Sequence, residues 1–85
     1  MRTFFIFGKA SSGELREISI KYRAQAVKLV ESLGGDVKSI YMMLREKYLV
    51  IVFVFPGLRE AMKASLALSK LTGISFQTCP AVLVS

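Results

Sequence analysis

Eighty-five residues, 53% of them hydrophobic and 21% charged, make one small domain with material for a single core, not a disordered or low-complexity chain. Twelve Lys and Arg against six Asp and Glu leave a net charge of +6. No His and one Cys exclude a His-based relay, an ordinary zinc centre and an intrachain disulfide.

Arg2 to Phe7 is a short aromatic and β-branched run closed by Gly8, and it reads as a strand. Its unbroken apolar part, Phe4 to Phe7, is shorter than the roughly 7–15 residues of a signal-peptide core. Lys9 to Glu14 holds Ser11-Ser12-Gly13 and reads as a loop. Gly8-Lys9-Ala10-Ser11-Ser12-Gly13 has the composition of a phosphate loop, but Gly-Lys leads the run instead of closing it at a helix start. From Ser19 to Leu33 the period is helical. Tyr22, Ala26, Leu29, Val30 and Leu33 share one face, Ser19 is the candidate N-cap and Gly34 the stop.

Asp36 to Leu44 is the next strand, and Arg45-Glu46-Lys47 is a charged hairpin connection. Tyr48 to Phe55 is a strand with no charged or amide side chain inside it, stopped by Pro56. Leu58 to Leu71 is a second helix with Ala61, Ala64, Ser65 and Leu68 inside, and Arg59, Lys63 and Lys70 along an outer stripe. Gly73 ends it. Ile74 to Val84 is the last strand, bent or at an edge because Pro80 cannot donate to a ladder.

The order is β-α-β-β-α-β, a ferredoxin-like α+β domain over residues 1–85. Right-handed crossovers put both helices on one face of a four-stranded antiparallel sheet, with the first and third strands in the middle. Those central strands do not alternate apolar with polar, as a sheet with one wet face should. Leu49, Ile51, Phe53 and Phe55 form one set and Val50, Val52 and Val54 the other. One set packs on the helices, and the other needs a second cover. Leaving it in water would forgo roughly 1.5–3 kcal/mol per side chain. The expected partner is a second copy of the chain, as a homodimer or higher homo-oligomer through the open sheet face. Phe5, Phe7, Leu49, Ile51, Phe53 and Phe55 are the expected sheet-face interface or core residues.

Several positions extend the reading. Gly13 lies in the loop before the first helix, Arg23-Ala24-Gln25-Ala26 lies at the start of that helix, and Gly34-Gly35 precedes a strand containing Tyr41. A strand ends in Pro56 before an Ala-rich helix, and Gly73, Thr78 and Ala81 mark the final segment. In these features the sequence resembles the GYD-domain family, small ferredoxin-like proteins of the dimeric α/β-barrel type. The resemblance implies that fold and a dimeric assembly. Arg45-Glu46-Lys47-Tyr48 stands where the family carries Gly-x-Tyr-Asp, so the signature is not retained and no family site carries over.

The expected function is that of a small homo-oligomeric binding or accessory domain, with any small-molecule pocket between the sheet and its partner. Tyr41 and Tyr48 are the expected pocket-lining residues. No catalytic, cofactor-binding or metal-binding residue is identified, and no cofactor is implied. Cys79 has no His beside it to serve as a base, and burial is its expected fate. A cofactor-free dimeric-barrel enzyme is the alternative class. A weak, non-specific nucleic-acid binder is another, on the +6 charge alone. The Tyr48–Phe55 strand lacks the glycine-spaced rings of an RNA-recognition strand, so specific nucleic-acid binding is not expected. A cytoplasmic setting with no membrane partner is expected, because the longest apolar stretch, Tyr48 to Phe55, falls far short of the ~20 residues of a spanning helix.

Overall fold

The computed structural model describes residues 1–9, 15–82 and 84, with backbone alone over residues 15–21. The elements are β1 (Arg2–Lys9), α1 (Leu15–Ser32), β2 (Asp36–Met43), β3 (Tyr48–Phe55), α2 (Leu58–Thr72) and β4 (Gln77–Ala81). The strands lie in the order β2-β3-β1-β4, every neighbouring pair antiparallel. This is the ferredoxin-like α+β fold, with β1 and β3 central as the crossover rule requires. The shortest dimension of the molecule is 17 Å, room for a sheet and one helix layer but no third layer.

The core lies between the sheet and the helices. Phe4, Ile6, Ile51, Phe53 and Phe55 supply its sheet side. Ala26 and Val30 of α1 and Ala61, Ala64 and Leu68 of α2 supply the helix side. Small residues on α2 let its backbone approach large sheet side chains. The expected inner face of α2, Ala61, Ala64, Ser65 and Leu68, is the buried one. Gly73 closes α2 in the left-handed region at φ 78°, its N–H donating to the Ser69 carbonyl.

Gly34 closes α1 at φ 91°, and the Gly35 N–H reaches back to the Val30 carbonyl at 3.0 Å. Gly35 has a second task. A Cβ there would stand 2.5 Å from the Phe55 ring, so the ring seats directly on the backbone. That ring meets Phe53 edge-on at a centroid distance of 5.0 Å.

Several boundaries differ from expectation. Helix α1 starts at Leu15, so Ser19 lies inside the helix and is not its cap. No Gly or Pro lies between Leu15 and Leu33 to delay the helix. The expected inward Leu33 is 37% exposed, because α1 ends at Ser32 and the Gly34 turn carries Leu33 off the helical face. Strand β1 runs two residues further, through Lys9, and β2 stops one earlier, at Met43. Lys47 adopts φ 60° in the turn and its N–H donates to the Met43 carbonyl at 2.8 Å. Strand β4 is shorter than Ile74 to Val84. Ile74 is buried against Leu49 before pairing begins, and Val82 and Val84 stand exposed beyond the last paired residue. Among the described residues no helix is long and apolar enough to cross a membrane.

Candidate functional site

Register decides which side chains share a face. Phe4 pairs with Phe53 and Ile6 with Ile51, all buried under the helices. Between them Phe5 pairs with Val52 and Phe7 with Val50, pointing to the other side. On β2, Tyr41 pairs with Val50 and Met43 with Tyr48. On β4, Cys79 pairs with Phe5 and Gln77 with Phe7. The centre of the helix-free face is therefore built from rings and aliphatics, with Thr3, Ser39, Gln77 and Cys79 as uncharged polar members and the charged Lys9 and Asp36 at its ends.

The expected sheet residues fall into two groups. Leu49, Ile51, Phe53 and Phe55 lie on the helix side, each no more than 3% exposed. Phe5 and Phe7 lie on the open face. Val52, flanked by Phe5 and Ser39, is almost covered by its own neighbours. Phe5, Met43 and Tyr41 are not covered, at 39%, 42% and 58% exposed. Phe7 and Tyr48 meet edge-on at 6.2 Å, which fixes both rings at one end of the face.

Tyr41 and Tyr48 share this face as diagonal neighbours, because their partners Val50 and Met43 are each two residues further along the opposite strand. The open face takes its rings from β1 and β2 as well as β3, and the register across the bulge at Val37/Ser39 puts Tyr41 among them. No periodicity in β2 alone reveals a bulge.

Cys79 is exposed, against the expectation of burial. It sits on the open side of an edge strand, the side no helix covers. Asp36 pairs with Lys38 at 3.0 Å at the end of β2, with both side chains about half in water. Glu46 is exposed in the turn. Among the described residues no group of three or more His, Cys, Asp or Glu side chains is placed to hold a metal. The serine-rich segment of residues 10–14 lies outside the described residues.

Among the described residues the arrangement offers a largely apolar, ring-bearing plane with Lys9 and Asp36 at its ends. Neither a family model nor a curated protein sequence matches the chain. Solved structures do. An uncharacterized NIPSNAP domain protein from Burkholderia xenovorans superposes with a TM-score of 0.69 at 7% identity, covering 100% of this chain and 96% of the other. A hypothetical protein from Pyrococcus horikoshii superposes at 0.66 and 23% identity, covering 99% and 93%. At these identities the likeness is one of fold.

Proposed function

We propose that the protein is a homo-oligomeric binding or accessory domain whose helix-free sheet face packs on the same face of a second copy. One observation carries this reading: the exposed Phe5, Tyr41 and Met43 surround a plane of valines with no helix over it. Burying such side chains contributes roughly 1.5–3 kcal/mol each, and a second sheet at about 10 Å spacing is the cover that fits a pleated surface. The GYD-type resemblance supports the same dimeric α/β-barrel assembly. Any small-molecule pocket then lies between the two sheets, with Tyr41 and Tyr48 at its wall and their hydroxyls supplying the polar contacts. An exposed Cys79 thiol suits a reducing, cytoplasmic setting.

The cations favour this reading over base stacking. Arg59, Lys63 and Lys70 lie on α2, in the layer opposite the rings, so phosphate contacts through this stripe and stacked bases would fall on different sides of the molecule, and Lys9 is the one cation that the strand register sets beside Tyr48 on the ring face. Light scattering at micromolar concentration tests the proposal. The expected mass is at least twice the 9.4 kDa of one chain. A well-behaved monomer overturns it.

A further inference from the structure

A second apolar surface lies on the helix side of the sheet, apart from the face proposed for self-association. Leu58, Met62 and Leu66 fall at i, i+4 and i+8 along α2 and form one stripe. They are 43%, 51% and 65% exposed, although the neighbouring row of Ala61, Ala64, Ser65 and Leu68 is buried. The stripe faces the edge strand β4 across a groove of about 300 Å³, whose far wall is Phe76, Thr78 and Pro80. Past Leu58 and Pro80 the groove opens into a second depression bounded by Met1, Thr3 and Val82. On its outer rim Arg59, Lys63 and Lys70 are all exposed. None of the three has an ion-pair partner among the described residues.

Charge and shape select the occupant. A second copy docked here about a two-fold axis would set the basic rim against itself. A bilayer is broad and flat, and would meet Leu66 and the cations while leaving the groove between α2 and β4 unfilled. An added strand is opposed by Pro80, which has no N–H to offer at the edge. A helix with apolar residues at i, i+3 and i+4 fills the groove, and acidic flanks meet the rim. We infer that the α2–β4 groove docks an acidic amphipathic helix of a partner protein. The stripe from Leu58 to Leu66 spans about 12 Å at 1.5 Å per residue, so two to three turns of the partner engage it.

The test uses a fluorescent synthetic peptide about five turns long, with Leu along one face and Glu on both flanks. Its control carries Lys in place of every Glu. Anisotropy gives affinity, and amide chemical shifts of the full chain give location. The acidic peptide is expected to bind saturably, to shift residues 58–66 and 76–80, and to weaken as salt rises. Leu66→Glu, at a side chain already in water, should keep the fold and weaken binding about tenfold or more. The double variant Lys63→Glu, Lys70→Glu should weaken it a few-fold. The proposal is overturned by no saturable binding, by equal binding of the Glu and Lys peptides, or by shifts confined to the open sheet face. It is also overturned if phosphatidylserine–phosphatidylcholine vesicles engage Leu66 while the peptide does not. None of these outcomes alters the light-scattering mass, so the two proposals fail separately.

Discussion

Phe4 and Phe5 are adjacent in the chain and sit on opposite faces of the sheet. Phe4 is 1% exposed, opposite Phe53 under the helices; Phe5 is 39% exposed, opposite Val52 with no helix above it. Both faces are written in apolar residues, so hydrophobicity does not tell them apart. Volume and complement do. The helix side of β3 carries Leu, Ile and Phe, met by the small Ala61 and Ala64 of α2. The open side of β3 carries valines and Tyr48, and the other rings of that face come from neighbouring strands. One face is closed by the helices of its own chain; the other has no helix over it.

The largest effect should separate these two phenylalanines. Phe4→Lys buries an unpaired charge in the core and should leave the chain unfolded by circular dichroism. Phe5→Lys should keep native circular dichroism and run at the mass of one chain. If both variants behave alike, the two faces are not distinct. Phe53→Ala comes next, with an expected loss of about 3–5 kcal/mol in urea unfolding at fixed protein concentration. A loss below about 1 kcal/mol would mean the core collapses easily around the Phe55 ring. Gly35→Ala pushes a methyl into that ring and should cost about 1–3 kcal/mol, the range for overpacking a filled core. Wild-type stability there would show that the ring has room to move. Smallest is Ser65→Ala. It removes the 2.6 Å hydrogen bond to Thr78 and should cost about 1 kcal/mol, seen as a lower urea midpoint with an unchanged slope.

Order and topology were legible because Gly34, Pro56 and Gly73 punctuate strong periodic runs. The inner face of α2 was legible residue by residue, since Ala61, Ala64, Ser65 and Leu68 keep helical spacing. The facing of β3 was not. Every position from Leu49 to Phe55 is apolar, and a period-two pattern without contrast carries no direction. The direction comes from Gly35, whose missing side chain admits Phe55 on the helix side. That contact joins residues 20 apart in the chain, beyond any local pattern. Cys79 misled for a related reason. Burial of a thiol is a tendency of residue type, whereas its exposure here follows from an edge position and strand parity. Tyr41 entered the candidate site as one of three tyrosines, at a position shared with the resembled family, but its place beside Val50 depends on the bulge before Ser39.

The hydroxyls between α2 and β4 have a consequence for motion. Strand β4 has one strand neighbour, and on its helix side Thr78 meets Ser65 while the Phe76 N–H donates to Ser69. A five-residue edge strand held this way can detach without breaching the central pair of β1 and β3. Its amides should exchange with solvent at a free energy below that of global unfolding, and that local free energy should fall further when Ser65 or Ser69 is replaced by Ala. Hydrogen exchange at β4 therefore reads out how firmly α2 is seated, as a local gauge of the helix layer.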